Sequence, residues 1–222
     1  MLFIPYRVET LTARTPWANL TLIAVTVIVS VMAFTGALSD QTILSMVLTG
    51  WNADGLFGHM LLHSGWMHLI GNMLMLYLFG NAVCGVMGQA EYLLLYVGAG
   101  VVGGVAHMMI DHAPAIGASG AVSGVMGVYL AIYPVNRVSC FWFWMVRTGT
   151  FQMPGWVLIG GYFALDLLGV LLGGGQVAYW AHIGGTVVGF LLGLVLLKFG
   201  LIAVGDYDNP TALDLLSRRA KS

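Results

Sequence analysis

The sequence predicts an all-α polytopic membrane protein, a six-transmembrane-helix bundle with both termini on the cytoplasmic side. Three properties of the composition indicate this class: 59% of the 222 residues are hydrophobic, only 8% are charged, and the mean hydropathy is +0.90. Such a composition excludes an ordinary soluble domain, which carries about 25% charged residues. The formal net charge of −1 gives no indication of a nucleic-acid partner.

Six apolar stretches each approach the length of about 20 residues that a bilayer core requires. They cover residues 17–35, 66–84, 92–110, 118–134, 155–173 and 182–203. The first is longer than the roughly 7–15 apolar residues of a signal peptide, so we interpret it as helix 1. The predicted organisation is a cytoplasmic segment at 1–16, a membrane domain at 17–204 and a cytoplasmic tail at 205–222.

The basic residues predict the orientation of the bundle. Arg7 and Arg14 precede helix 1, and the other basic residues lie between helices 4 and 5 or from the end of helix 6 onwards: Arg137, Arg147, Lys198, Arg218, Arg219 and Lys221. All eight fall on one side of a six-helix arrangement. Because basic residues accumulate on the cytoplasmic side of membrane proteins, we expect both termini in the cytoplasm.

Polar side chains from three helices fall in the outer half of the predicted membrane domain. Helix 2 carries His68 and Asn72, which are four residues apart and so share one helical face. Ser119 begins helix 4 in "GASGAVSG", and His182 begins helix 6 in "YWAHIGGTVVGF". A lone serine in a helix is commonly a packing residue. Four polar side chains at one depth instead predict a functional site that faces a cavity.

Helix 4 is too short to cross the bilayer from face to face. From Ser119 to Tyr133, before Pro134, the helix rises roughly 22 Å against a hydrocarbon core of about 30 Å. The unpaired N–H groups at its start need a watered or protein-lined cavity. We therefore expect Ser119 at the floor of a pocket that opens to the outside.

Small residues predict that helices 4 and 6 pack closely. Helix 6 has a glycine at every fourth residue, namely Gly185, Gly189 and Gly193, and helix 4 also carries several glycines. Close packing would let His182 hydrogen-bond Ser119 and take its proton, which makes the serine a nucleophile for acyl transfer. The candidate donors for the resulting oxyanion are the Ser119 N–H, the Asn72 amide and His68.

These motifs resemble the rhomboid intramembrane serine proteases, through "HLIGNM" in helix 2, "GASGAVSGVMGVY" in helix 4 and "AHIGGTVVG" in helix 6. The resemblance implies that Ser119 is the nucleophile, His182 its base, and His68 and Asn72 oxyanion-hole residues. Three glycines also match the family pattern, namely Gly117, Gly185 and Gly189. Two departures from that pattern are Asn52 after Trp51 in loop 1, and Cys84 at the cytoplasmic end of helix 2.

The resemblance also implies substrates that are single transmembrane helices, cut near the outer face beside a small residue, and a site that needs no cofactor. His59 and His63 resemble histidines that brace loop 1 and helix 2. The compact six-helix plan predicts the inner membrane of a prokaryote. The partners expected are therefore the lipid bilayer and single-pass membrane proteins.

The sequence fits four other interpretations less well, two of single residues and two of the whole protein. His59 and His63 have the spacing of a zinc helix, but Met60 replaces the glutamate of that motif, so we expect no metal. Asp166 is expected in the middle of helix 5, below the level of His182, where it makes a structural hydrogen bond. A non-catalytic rhomboid-like binder of transmembrane clients is one alternative function. A small transporter is another, although the two halves of the chain show no evident repeat.

Overall fold

The computed structural model describes residues 2–10, 14–173, 175, 177–202, 204 and 209–217. Within these residues, four helices are long and apolar enough to cross a membrane: Trp17–Phe34, Trp66–Val86, Gln89–Ile110 and Tyr179–Lys198. Two shorter apolar helices are Ser119–Ile132 and Gly155–Leu171. The protein is thus a mostly helical, multi-pass membrane protein. The four long and two shorter apolar helices overlap the six predicted stretches, with ends that differ by up to five residues. Some of the residues used in the predictions lie outside the described residues: 205–208 of the predicted tail, and the basic residues Arg218, Arg219 and Lys221.

The elements follow one another along the chain as β1 (Leu2–Val8), α1 (Trp17–Phe34), α2 (Asp40–Met46), α3 (Ala53–Gly58), α4 (Trp66–Met75), α5 (Asn81–Val86), α6 (Gln89–Ile110), α7 (Ser119–Ile132), β2 (Arg137–Trp144), β3 (Arg147–Pro154), α8 (Gly155–Leu171), α9 (Tyr179–Lys198) and α10 (Ala212–Leu216). A 3₁₀ turn at His59–Leu61 follows α3, and a π-helical segment at Leu76–Gly80 joins α4 to α5 in one continuous helix.

A buried polar network contacts both ends of the π-helical segment. The amide of Asn19 in α1 donates hydrogen bonds to the Leu76 carbonyl at 2.9 Å and to Asn81 Oδ1 at 2.8 Å. The Tyr92 hydroxyl of α6 donates to Asn19 Oδ1. Asn19 is fully buried, so its polar atoms need these partners. The network joins α1 and α6 to the helix between them.

Main-chain contact between α7 and α9 lies at the centre of the bundle. A Cβ atom on Gly185 would overlap the carbonyl oxygen of Gly120, and one on Gly189 would overlap that of Gly124. Likewise, a Cβ on Gly127 of α7 would overlap the carbonyl oxygen of Thr186 on α9. The predicted close packing of helices 4 and 6 is confirmed, because only glycine fits at these positions.

A three-stranded antiparallel sheet, in the order β1-β2-β3, stands among the described residues beside the helical bundle. Leu2 pairs with Phe143 and Val8 with Val138, while β2 and β3 form a hairpin with the two-residue turn Met145–Val146. The prediction of an all-α protein is wrong in this region. The turn lacks the Asn-Gly or Gly-Gly signal of a hairpin. Met145 takes the left-handed φ, 54°, that glycine or asparagine usually takes in such a turn. Burial on successive residues of β2 also hides the period-two pattern of a strand.

The segment that precedes α7 is fastened to loop 1, which comprises α2, α3 and the 3₁₀ turn. Leu48 and Ala115 exchange two main-chain hydrogen bonds of 3.0 Å, and Gly117 N–H donates to the His59 carbonyl at 2.9 Å. The His59 ring donates from Nδ1 to the Gly55 carbonyl at 2.8 Å. Loop 1 therefore fixes the main chain that leads into Ser119.

His63 links loop 1 to α1 through a hydrogen bond of 3.0 Å between its Nδ1 and Ser30 Oγ. The Ser30 hydroxyl donates its own proton to the Leu61 carbonyl at 2.9 Å, so the imidazole N–H is the donor in the first bond. The ring packs edge-on against His68, with centroids 5.0 Å apart. These contacts agree with the bracing role that the resemblance implies for His63.

The protonation of His63 should make the fold sensitive to acid. Burial, followed by the charge of neighbouring His68, lowers the pKa of His63 from 6.5 to about 4. Between these two pH values the unfolded chain binds a proton that the folded chain does not, so the free energy of unfolding falls as the pH drops from 6.5 towards 4. We expect the melting temperature in detergent to fall between pH 7 and pH 4.5, and to fall less in His63→Asn, whose amide still has a donor for Ser30. An equally steep fall in that variant would contradict the assignment.

Candidate active site

The main chain before α7 brings three side chains together at one end of the bundle. Gly117 takes a φ of 127°, and a Cβ there would lie 2.7 Å from Cε1 and 2.8 Å from Nε2 of the His68 ring. Any other residue would be strained in its backbone and would push this ring away. Gly117 therefore lets His68 approach the first residue of α7, which is Ser119.

Ser119 and His182 are in hydrogen-bond contact, as predicted. The Ser119 hydroxyl lies 2.7 Å from His182 Nε2, and Asp166 Oδ1 lies 2.9 Å from His182 Nδ1. A carboxylate without a proton only accepts hydrogen bonds, so beside such a carboxylate Nδ1 would carry the ring proton and donate it to Asp166. Nε2 then presents a lone pair, which accepts the proton of the serine hydroxyl.

The expected depth of Asp166 is wrong. The predicted ends of helices 5 and 6 were residues 173 and 182, which placed Asp166 in mid-helix and His182 at a helix start. In the structure α8 ends at Leu171 and α9 begins at Tyr179. Asp166 and His182 then each lie about one to one and a half helical turns from the connection between these helices, at the same level. Asp166, for which the sequence predicted only a structural hydrogen bond, is consequently a further functional candidate, and an intramembrane carboxylate is itself a signal of one.

A cavity of about 540 Å³ opens beside these side chains. Ser119, His182, His68 and Ser64 contribute to its lining. His107 of α6 also lines it, and its Nε2 donates to the Ala113 carbonyl at 2.9 Å, which helps to hold the segment before α7. Because Ser119 lines the cavity, a molecule that enters it can reach the serine. It agrees with the predicted pocket at the start of helix 4.

The His68 ring is oriented by Ser64. The Ser64 N–H donates to His68 Nδ1 at 3.4 Å, and Ser64 Oγ lies 3.1 Å from the same nitrogen. Because Nδ1 accepts the N–H, the neutral ring carries its proton on Nε2. A Cβ atom on Gly117 would lie 2.8 Å from that nitrogen and 3.7 Å from Ser119 Oγ, so both atoms lie next to Gly117. Among the residues that the structure describes, His68 Nε2 has no hydrogen-bond partner, so it offers a donor near the serine.

Asn72 has a different environment. Its amide donates to the His68 carbonyl of the same helix at 3.0 Å, and its side chain is buried. Among the described residues it is not part of the cavity lining. The structure therefore brings together Ser119, His182 and His68, while the assignment of Asn72 to an oxyanion hole stays a prediction.

Candidate metal ligands are not clustered in the part of the chain that the structure describes. No group of three or more His, Cys, Asp or Glu side chains there could hold an ion. His59 and His63 each direct Nδ1 to an oxygen of the protein, Gly55 O and Ser30 Oγ respectively.

The apolar helical bundle holds a serine, a histidine and a carboxylate in one chain of hydrogen bonds, an arrangement that can activate a serine hydroxyl as a nucleophile. The Rhomboid domain model matches residues 49–199, which is more than half of the chain. The chain belongs to the rhomboid family.

The chain is similar to several proteins that are named as rhomboids. It is 29% identical over 145 residues to rhomboid protein 1, mitochondrial, of Saccharomyces cerevisiae, which is 61% of this chain and 40% of the yeast protein. It is 40% identical over 76 residues to rhomboid protease GluP of Bacillus subtilis, which is 34% of this chain and 15% of GluP. It is 25% identical over 132 residues to the human presenilin-associated rhomboid-like protein, mitochondrial, which is 57% of this chain and 34% of the relative. Each match spans less than half of the relative's length.

Proposed function

We propose that this protein is an intramembrane serine endopeptidase that cleaves transmembrane segments near the outer face of the membrane. The observation that carries the proposal is the 2.7 Å contact between the Ser119 hydroxyl and His182 Nε2 beside a cavity in an apolar bundle. A rhomboid relative that is named as a protease supports it. Ser119 is the nucleophile and His182 the general base.

The reaction follows from the direction of the hydrogen bonds. Ser119 Oγ attacks the carbonyl carbon of the peptide bond while its proton passes to His182 Nε2, which gives a tetrahedral oxyanion. When the C–N bond breaks, the proton on Nε2 goes to the leaving amine, and an acyl-enzyme ester remains. Water from the cavity then gives a proton to Nε2 and its oxygen attacks the ester. The C–Oγ bond breaks, the proton returns to Ser119 Oγ, and a carboxylic acid leaves.

The oxyanion requires donors that are already in position. The Ser119 N–H stands at the N-terminal end of α7, and His68 Nε2 and Ser119 Oγ both lie near the position that a Cβ atom on Gly117 would take. Asn72 is buried one helical turn from His68. One N–H of its amide donates to the His68 carbonyl, and the second N–H is the third candidate donor. His68 is accordingly the donor that the geometry supports more strongly.

Replacing His68 by Ala should lower kcat by about 10²–10³, the usual cost of one oxyanion donor. Asn72→Ala should lower kcat as well, and both variants should retain labelling of Ser119 by a phosphonate probe better than His182→Ala. This contrast is expected because His182 activates the nucleophile, whereas the donors stabilise charge after attack. The measurements are steady-state turnover of a transmembrane substrate and the rate of labelling. Full kcat in Asn72→Ala would make Asn72 a packing residue.

The proposed topology has six membrane crossings, made by α1, the α4–α5 helix, α6, α7, α8 and α9. Both termini lie in the cytoplasm, with the membrane domain at 17–204 between segments 1–16 and 205–222. The sheet supports this orientation, because Arg7, Arg137 and Arg147 lie on its three strands. The membrane proposed is the inner membrane of a prokaryote.

Single-pass membrane proteins are the proposed substrates. A helix in a bilayer pairs all of its peptide groups internally, so the scissile carbonyl must be unwound before it meets Ser119. Helix-destabilising residues near a small residue at the cleavage position should therefore favour a substrate.

The test is cleavage of a single-helix substrate by the purified protein in liposomes, beside Ser119→Ala. The wild type should produce two fragments and the variant none, with or without EDTA or 1,10-phenanthroline. If the folded wild type neither cleaves a panel of such substrates nor reacts with the phosphonate, but retains a labelled transmembrane helix, the protein is a client binder instead. Loss of cleavage on chelation that zinc restores would indicate a metal-dependent reaction.

A further inference from the structure

The His182 imidazole has a second hydrogen-bond partner besides Ser119. Asp166 Oδ1 of α8 lies 2.9 Å from its Nδ1, and the two side chains are 15% and 17% exposed. We infer that Asp166 is a positioning residue, which holds the His182 ring in the tautomer and orientation that take the Ser119 proton. The inference rests on the proposed function and adds a third residue to the serine and histidine on which that function depends.

The chemistry of a neutral imidazole explains why a partner on Nδ1 matters. Only one ring nitrogen carries a proton, and the other is the base. A carboxylate at Nδ1 keeps the proton there and leaves Nε2 free for Ser119. When Nε2 takes the serine proton, the ring becomes an imidazolium, and the nearby carboxylate stabilises its charge. The small exposure of both side chains reduces screening by water, so this stabilisation is stronger than at a surface.

The contact between α8 and α9 holds the pair in register. Asp166 and Gly169 are three residues apart on α8, and Tyr179 and His182 are three residues apart on α9. A Cβ atom on Gly169 would overlap the Tyr179 ring, so this glycine admits the ring against α8. The Tyr179 ring also stands edge-on to His182, with centroids 6.4 Å apart. Gly169 and Tyr179 thus pack the two helices together, and Asp166 and His182 make the hydrogen bond about one turn away.

Asp166→Asn separates this role from a structural one. The amide has nearly the same shape, but its NH₂ group can donate to Nδ1, which moves the ring proton to Nε2 and blocks acceptance from Ser119. We expect kcat to fall by roughly 10²–10⁴ with little change in KM, and labelling of Ser119 to slow in parallel. Asp166→Ala should lose no more activity than Asp166→Asn. The control is Leu167→Ala, the next residue of the same helix with a side chain 42% exposed, which should retain wild-type kcat.

The assay includes Ser119→Ala, so the two hypotheses fail separately. Cleavage by folded Ser119→Ala would overturn the proposed function itself. With Ser119→Ala inactive, a folded Asp166→Asn that turns over within about threefold of the wild type would overturn the positioning role, as would a loss seen only in Asp166→Ala.

A measurement on the wild type covers the case in which the Asp166 variants do not fold. Solid-state NMR of ¹⁵N-histidine protein in liposomes, with the His182 signals assigned by their absence from His182→Ala, reports which ring nitrogen is protonated. We expect the proton on Nδ1 at neutral pH. A proton on Nε2 would overturn the inference.

Discussion

Ser119→Ala is expected to reduce kcat on a transmembrane substrate by about 10⁵–10⁶, and His182→Ala by a comparable factor. Each change removes one end of the 2.7 Å hydrogen bond through which the serine loses its proton. Because the two residues act as a unit, the double variant should be no slower than either single variant. A second loss of similar size in the double variant would mean that the residues act independently and would contradict the proposed mechanism.

The chain offers matched controls for both changes. Ser123 is a serine one turn further along α7, and His112 is an exposed histidine beyond the end of α6. Ser123→Ala and His112→Ala should cleave the substrate at the wild-type rate. Initial rates in liposomes, together with melting temperatures of all the variants, separate lost chemistry from lost folding. Measurable turnover by a purified, folded Ser119→Ala protein would remove Ser119 from the mechanism.

Gly189→Ala is expected to destabilise the protein and to inactivate it. The added methyl group would overlap the Gly124 carbonyl oxygen, which belongs to a main chain and cannot turn aside as a side chain can. Overpacking of this kind costs about 1–3 kcal/mol, or more where the backbone must move. The helices α7 and α9 would separate, and the distance from Ser119 to His182 would increase with them.

Gly161→Ala is the control for this glycine, because a Cβ at that position of α8 meets open space. It should melt at or above the wild-type temperature, since alanine favours a helix more than glycine does. Thermal unfolding in detergent and the rate of phosphonate labelling test both variants. If Gly189→Ala melts and reacts like the wild type, the packing of α7 on α9 does not determine the position of His182.

The bundle could be predicted from the sequence because a bilayer leaves few choices. Each long apolar run must become a helix, and the glycines at every fourth residue predict which helices touch. That information was sufficient to bring Ser119 and His182 together. It was insufficient for Asp166, because an error of a few residues at the ends of α8 and α9 changes the relative depth of two side chains by about a helical turn.

The sheet could not be predicted by the same reasoning. Its strands lie between the long apolar runs, in segments without the turn residues that mark a hairpin. In addition, β1 pairs with residues that are far away along the chain. The orientation of the His68 ring was equally hidden, because it depends on the φ of Gly117 and on a hydrogen bond from Ser64. Such contacts arise from tertiary structure, which no local pattern encodes.

The pairing of β1 with β2 has a consequence for biogenesis. Val8 and its partner Val138 are separated by 130 residues, so β1 leaves the ribosome long before β2 exists. At 5–20 residues per second, the delay is on the order of ten seconds. During that interval α1, the α4–α5 helix, α6 and α7 emerge, while the edge of β1 has no partner from its own chain. The sheet therefore closes only after α7 has been synthesised, and its formation joins the first part of the chain to the part that carries the nucleophile.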